Sequence, residues 1–326
     1  MTKISLLGAM AEVIRAEDLV RFGNLELLAR KVVEGFITGL HKSPYHGFSV
    51  EFAEHRAYNP GESIRHIDWK LYGRTDKLFV KRFEDETNLR SRLVVDVSAS
   101  MYYPFDKEPK ANKYAFSALA AASLGYLLHN QRDAVGLSLV DHEIRVHTPA
   151  RSSYTHLRYL VGILEQYLNA PPPKPGQPTR LALHLHEIAE KIHSRSLVIV
   201  FSDFWGSLTD EVVLKKALAP LLDAIGHLIF CKHDVILFHV LDMPSELKLD
   251  LENRPYEFED SESGEKIRLN PVEIQEVYRQ QADAFARTLR MEATQLGAAY
   301  YAFNIAEPLE KVLMDFMISR NFNTFK

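Results

Sequence analysis

Three oxygen-bearing side chains follow a short apolar stretch near the end of the first third of the chain. The stretch, Leu-Val-Val at 93–95, is typical of a strand buried on both faces of a parallel sheet. Asp96 ends it, and Ser98 and Ser100 follow at every second position. A carboxylate at the carboxyl end of a central strand faces the crevice where open α/β sheets bind ligands. Because a carboxylate and two hydroxyls are hard oxygen donors, the pattern predicts a site for Mg²⁺ or Mn²⁺ rather than zinc.

This Asp-x-Ser-x-Ser pattern resembles the metal-ion-dependent adhesion site of von Willebrand factor A domains. The competing interpretation is a strand end followed by a loop in which Ser98 or Ser100 caps the next helix. The resemblance implies two further loops at the same edge of the sheet, one with a threonine before a helix and one with an aspartate after a strand. Both are present in that order: Thr179 precedes a helical pattern, and Asp203 follows the apolar run 197–201.

The resemblance also implies a role for each of these five residues. Ser98 and Ser100 would be direct ligands of the cation, whereas Asp96 and Asp203 would bind it directly or through water. Thr179 would switch between the two modes. Helix capping remains an alternative for Thr179 and for Asp203, because both precede predicted helices.

Length and composition are those of an ordinary globular protein. The chain has 326 residues, 46% of them hydrophobic and 25% charged. A formal net charge of -4 argues against a nucleic-acid binder that works by bulk electrostatics. The single cysteine cannot form an intrachain disulfide, the first residues do not resemble a signal peptide, and no apolar run is long enough to span a membrane. We therefore expect a cytoplasmic protein without membrane spans.

The order of predicted elements indicates an α/β fold. From residue 91 onward, apolar strands alternate with amphipathic helices, which predicts a mostly parallel, Rossmann-like sheet flanked by helices. Residues 1–46 are predicted to be a helical N-terminal region, and residues 47–90 a small β-rich unit. The polar, acidic segment at about 242–270 is predicted to be a β-hairpin inserted into the third unit, 91–326.

The β-rich unit carries a second resemblance. Its strings 51–54, 56–62 and 65–69, extended by Arg74 and by 78–84, are similar to the hallmark of the bacterial domain-of-unknown-function family 58. Members of that family place this segment directly before a von Willebrand A-like domain. The resemblance therefore implies that the third unit, 91–326, is a domain of that kind.

Further expectations concern the partners and the function. Genes of this family typically lie beside a MoxR-type AAA+ ATPase, and the pair is thought to act in chaperone-like assembly or metal insertion. The resemblance thus implies a non-enzymatic, metal-dependent protein-binding module whose client supplies an acidic residue to the ion. Arg65, Asp68 and Arg74 would form either an internal ion-pair network or a docking surface for a partner.

Two alternatives remain open from the sequence. A carboxylate after an apolar strand also suggests a metal-dependent phosphatase or other hydrolase, although Ser98 stands where haloacid-dehalogenase chemistry usually has a second Asp. Ser98 and Ser100 also lack the flanking glycines of a nucleophile elbow. The other alternative keeps the fold without the metal, as an interaction scaffold.

Overall fold

The computed structural model describes most of the chain, with gaps. The described residues are 14–15, 18, 23–42, 55–57, 72–73, 79–81, 89–105, 112–173, 179–193, 195–205, 211–261 and 264–323. Of the residues predicted to form a partner surface, Arg65, Asp68 and Arg74 lie outside the described residues, so this prediction stays open.

A six-stranded sheet forms the centre of the molecule, in the order β10-β7-β6-β3-β4-β5. Neighbouring strands are parallel except for the β4–β5 pair, which is antiparallel. The six strands are β3 (Arg90–Asp96), β4 (Ala134–Val140), β5 (Ile144–His147), β6 (Leu197–Ser202), β7 (Asp234–Leu241) and β10 (Ala299–Asn304). The mostly parallel α/β fold predicted from the sequence is confirmed.

Helices cover both faces of the sheet. One face is packed by α1 (Leu25–Lys42), α2 (Lys113–Asn130), α3 (Tyr154–Leu168) and α7 (Leu309–Asn323). The other is packed by α4 (Leu181–Lys191), α5 (Glu211–Phe230) and α6 (Pro271–Leu296). None of the helices in the described parts of the chain is both long and apolar enough to cross a bilayer.

The side chains of β3 explain why this strand is central. Leu93 and Val95 belong to the core on the α2 side of the sheet, whereas Val94 belongs to the core on the α4 side. Successive side chains of a strand point to opposite faces, so an uninterrupted apolar run buries both faces. The carboxyl end of β3 therefore lies in the middle of the sheet edge, where Asp96 is placed.

Short elements complete the described structure. Strands β1 (His55–Ala57) and β2 (Phe79–Lys81) form an antiparallel pair within the segment predicted to be β-rich. Strands β8 (Tyr256–Glu259) and β9 (Lys266–Leu269) form the hairpin expected in the acidic segment. The same segment begins with a π-helical turn, Met243–Leu247, which the sequence reading did not predict. The division of the chain into three units stays a prediction.

Candidate metal site at the carboxyl edge of the sheet

Four parallel strands each deliver an aspartate to the same edge of the sheet. Asp96 ends β3, and Asp141, Asp203 and Asp242 follow β4, β6 and β7; all four are buried. Two of them are engaged locally. Asp141 accepts hydrogen bonds from the Glu143 amide at 2.9 Å and from Arg145 Nε at 2.8 Å, and Asp242 accepts one from the Ser245 hydroxyl at 2.8 Å.

Asp96 is held in place by its own loop and by the neighbouring strand. Its Oδ1 accepts a hydrogen bond from the Ser98 amide at 2.9 Å, and its Oδ2 accepts one from the Ser202 hydroxyl at 2.7 Å. The residue is 1% exposed. Burial raises the pKa of Asp96 to about 6, and the negative charge of Asp203 contributes to the rise. The ionised form of this carboxyl group is thus disfavoured by burial and by the nearby negative charge.

The two serine hydroxyls of the motif point towards each other. Ser98 Oγ and Ser100 Oγ lie 3.2 Å apart. Ser98 occupies the N-cap position of the 3₁₀ turn Ala99–Tyr102, yet its side chain makes no capping hydrogen bond. Helix α2 is instead capped by Asn112, whose Oδ1 accepts from the Ala115 amide at 2.8 Å. The capping interpretation of Ser98 and Ser100 is therefore wrong.

Asp203 joins this group from the loop after β6. Ser202, the residue before it, donates to Asp96, so that the serine loop and the end of β6 are in contact. Asp203 Oδ2 accepts from the Lys113 ammonium at 2.7 Å. Burial raises the pKa of Asp203, but the charge and hydrogen bond of Lys113, helped by the nearby Ser100 hydroxyl, outweigh burial and hold this pKa below its usual value.

Lys113 also belongs to the site, although it was not among the residues predicted from the sequence. It is the first residue of α2, is completely buried, and forms ion pairs with both Asp203 and Glu246. Glu246 comes from the π-helical turn and is oriented by the Asp242 amide, which donates to its Oε2 at 2.8 Å. Burial lowers the pKa of Lys113, but the two carboxylates outweigh it and raise this pKa above its usual value.

Thr179 lies at the same edge of the sheet as the serine loop. Its Oγ1 donates a hydrogen bond of 3.4 Å to the carbonyl of Asp141, directly after β4. Arg180, not Thr179, occupies the N-cap position of α4. The capping alternative for Thr179 is thus wrong, and its part in binding a metal stays a prediction.

The donor set fits a hard divalent cation. Adjacent ligands of an octahedral Mg²⁺ ion, each about 2.0–2.1 Å from it, are about 3 Å apart, close to the spacing of the two serine hydroxyls. Asp203 and Glu246 share the Lys113 ammonium, and the buried carboxyl group of Asp96 lies close to Asp203, so added positive charge would be stabilised. The residues that would hold the ion are Asp96, Ser98, Ser100 and Asp203, with Thr179 as the predicted fifth.

The match to a known family extends over most of the chain. Residues 54–291 match the family model described as "Protein of unknown function DUF58". The chain belongs to the DUF58 family. Uncharacterized proteins of Mycobacterium tuberculosis and Mycobacterium bovis are 25% identical to it over 225 residues, which is 69% of this chain. The chain spans 65% of the length of these relatives.

Solved structures with a similar arrangement were also found. The conserved hypothetical protein BatB from Bacteroides thetaiotaomicron superimposes with a TM-score of 0.44 at 14% identity, covering 71% of the DUF58 chain and 98% of BatB. The SpRpn10 VWA domain gives a TM-score of 0.35 at 11% identity, covering 69% and 93%. At these values the likeness says nothing about function.

Three residues of the DUF58 site were not found from the sequence. Ser202 adjoins Asp203 in the chain, and a hydroxyl at the end of a buried strand was a signal that could have identified it. Lys113 begins a helix otherwise rich in Ala and Leu, where a lysine is usually exposed. Glu246 lies 133 residues from Lys113, and nothing local marks it.

Ser202 offers a direct test of how the DUF58 site is supported. Its hydroxyl donates to Asp96 and also accepts from the Phe204 amide at 2.9 Å. We expect Ser202→Ala to lower the free energy of unfolding by about 1–3 kcal/mol, because two buried partners lose a hydrogen bond. Urea unfolding measures the change. Ser123→Ala is the control, since that hydroxyl bonds only to the Leu119 carbonyl of its own helix. Equal losses in the two variants would contradict this role.

A second group of ligand-type side chains lies between α4 and α5 of the DUF58 chain. Ligand atoms of Glu190, His227 and Cys231 lie within 4.8 Å of one another. Both ring nitrogens of His227 already have partners, His186 Nδ1 at 2.9 Å and Glu190 Oε1 at 2.9 Å. We interpret this group as a hydrogen-bonded network on the surface, separate from the predicted site.

Proposed function

We propose that this DUF58 protein is a non-enzymatic, metal-dependent protein-binding module. The observation that supports it is the convergence of Asp96, Ser98, Ser100 and Asp203 at one sheet edge, with two hydroxyls 3.2 Å apart and their capping role absent. Asp203 is far in the sequence from the other three residues, and the parallel pairing of β3 with β6 brings it beside them.

The side chains of the site suggest how binding would work. Ser98 and Ser100 would contribute neutral oxygens, and Lys113 already neutralises part of the charge of Asp203. Mg²⁺ or Mn²⁺ held there would supply a Lewis-acidic centre for a further oxygen ligand. A carboxylate from a client protein is the natural ligand, because its oxygens are hard and it is anionic.

The partner proposal depends on the family resemblance. We propose that the protein acts with a MoxR-type AAA+ ATPase in chaperone-like assembly or metal insertion, with a client that supplies the acidic residue. The predicted contribution of Arg65, Asp68 and Arg74 to docking stays a prediction, because these residues lie outside the described part of the chain.

Capture of the ATPase tests the proposal. The purified DUF58 protein is immobilised and incubated with a MoxR-type ATPase from the same organism, in about 5 mM Mg²⁺ or in excess EDTA. We expect capture in Mg²⁺ only, and at least about a tenfold loss with Ser98→Ala/Ser100→Ala, equivalent to about 1.4 kcal/mol. The matched control is Ser117→Ala/Ser123→Ala, which removes two hydroxyls that bond only within α2.

Two results would contradict the proposal in different ways. Capture that is equally strong in EDTA and in the Ser98→Ala/Ser100→Ala variant would show that binding needs no metal. Turnover of generic phosphatase or esterase substrates that requires Mg²⁺ and is lost in the same variant would instead assign the site to an enzyme.

A further inference from the structure

A second candidate binding region lies at the opposite, amino-terminal edge of the sheet. It is a pocket of about 400 Å³ between the start of β3, the end of β5 and the end of α4. Its size is in the range of small-molecule sites. The charged and titratable side chains that line it are Arg90, Arg92, His147, Lys191 and His193, and none of the described residues of its lining is Asp or Glu.

The most unusual of these residues is Arg92. It is 5% exposed, and within the described parts of the chain no carboxylate lies within 4.0 Å of its guanidinium. Only Nη1 donates hydrogen bonds there, to the carbonyls of Leu137 at 3.0 Å and Thr148 at 2.5 Å and to the Ser138 hydroxyl at 3.5 Å. A buried cation without an anionic partner is costly.

The chain makes room for this guanidinium at Gly136. A Cβ atom on Gly136 would lie 2.9 Å from Cζ and from Nη1 of Arg92. Only glycine therefore allows the guanidinium to lie against β4 in this position. The cation is placed by the fold and is not a surface side chain that happens to be covered.

The neighbouring groups indicate a positive potential that is not fully balanced. Burial, together with the charges of Arg92 and Lys191, lowers the pKa of His147 to about 4. Lys191 has one carboxylate partner, Glu187 at 3.0 Å, on the exposed side of α4. Ser91 Oγ and Arg92 Nε are buried without a hydrogen-bond partner among the described residues.

From these contacts we infer that the pocket binds a phosphate group, either free or carried by a small molecule. Phosphate matches the chemistry because its oxygens accept several charge-assisted hydrogen bonds at once, and guanidinium groups bind it in a bidentate manner. Arg92 would contact it from the floor of the pocket, and Arg90 and Lys191 from the rim. The inference is independent of the metal site, which lies at the other end of the strands.

Titration of the full-length protein with three probes tests this inference. Inorganic phosphate, pyrophosphate and ADP are added at constant ionic strength, and binding is followed by calorimetry and by thermal unfolding. We expect saturable binding of at least one probe. Phosphate as tight as the others would identify free phosphate as the ligand, whereas tighter ADP or pyrophosphate would identify a phosphorylated small molecule.

Variants distinguish specific binding in the pocket from nonspecific attraction of the anion to positive charge on the surface. Arg90→Gln/Lys191→Gln, at the rim, is expected to weaken binding at least tenfold, and Arg92→Gln at least as much. Lys266→Gln/Arg268→Gln removes the same two charges from the β8–β9 hairpin and is expected to leave the affinity unchanged. Absence of saturable binding, or equal weakening in the rim and hairpin variants, would overturn the inference. If Arg92→Gln fails to fold, Arg90→Gln/Lys191→Gln still tests the inference, because both of its residues are exposed.

Discussion

Replacing Lys113 by methionine is expected to lower the free energy of unfolding by about 3–5 kcal/mol at neutral pH. The ammonium is completely buried between Asp203 and Glu246, so its removal leaves two carboxylates in the interior without a counter-charge. Methionine keeps the length and the apolar stem of the side chain and therefore isolates the loss of charge. Urea unfolding followed by circular dichroism measures the difference.

A matched variant and a rescue make this test specific. Lys311→Met removes an exposed lysine that pairs with Glu307 at 2.8 Å, and we expect a change of less than about 1 kcal/mol. Adding Glu246→Gln to Lys113→Met is expected to recover part of the loss, because only Asp203 then remains unpaired. A Lys113→Met protein as stable as the wild type would show that the ammonium does not stabilise this edge.

The same substitution connects stability with metal binding. Without the ammonium, the negative charge of Asp203 and Glu246 is available to a divalent cation. We therefore expect Mg²⁺ to stabilise Lys113→Met by more than it stabilises the wild type. An equal effect of Mg²⁺ on the two proteins would separate Lys113 from the metal site.

Removal of divalent cations is expected to destabilise the wild-type protein. An ion that binds the folded state alone adds about 2.7 kcal/mol when its concentration is one hundred times its dissociation constant. We expect such a gain between EDTA and saturating Mg²⁺ or Mn²⁺, since the ion would compensate the carboxylates of Asp96 and Asp203. Urea unfolding in the two buffers, at matched ionic strength, provides the measurement.

Serine variants show whether this gain comes from the predicted site. Ser98→Ala/Ser100→Ala is expected to lose most of it, whereas Ser117→Ala/Ser123→Ala is expected to keep it. If the gain survives in the first variant, the cation binds elsewhere on the protein. If neither the wild type nor the control gains stability, the four converging residues do not hold a divalent ion in solution.

Much of the fold is determined by local patterns in the sequence. The apolar run at 93–95 forms the predicted central strand, and the hairpin predicted in the acidic segment is found as β8 and β9. The pairing of Asp96 with Asp203 at one edge was also predictable, because parallel strands place their carboxyl ends together. The periodicity of apolar residues predicts the strands and helices, and the direction of the strands predicts which side chains share an edge of the sheet.

Contacts between distant segments were decided by the tertiary structure. Helix capping and metal binding can both use a hydroxyl side chain just before a helix. The sequence therefore could not distinguish the two roles for Ser98 or Thr179. The structure decides against capping, since neither side chain caps the helix that follows it. The ion pairs of Lys113 with Asp203 and Glu246 join segments up to 133 residues apart.

At the other edge of the sheet, the environment of Arg92 was likewise decided by the tertiary structure. Arg92 directly precedes the apolar run at 93–95, and no local pattern shows whether its guanidinium is exposed or buried. Only the packing of β3 against Gly136 and the absence of a nearby carboxylate among the described residues reveal a buried cation. The sequence by itself determined which side chains end each strand, because backbone periodicity is local. The partners of those side chains depend on the packed structure, because charge and burial are properties of the surroundings.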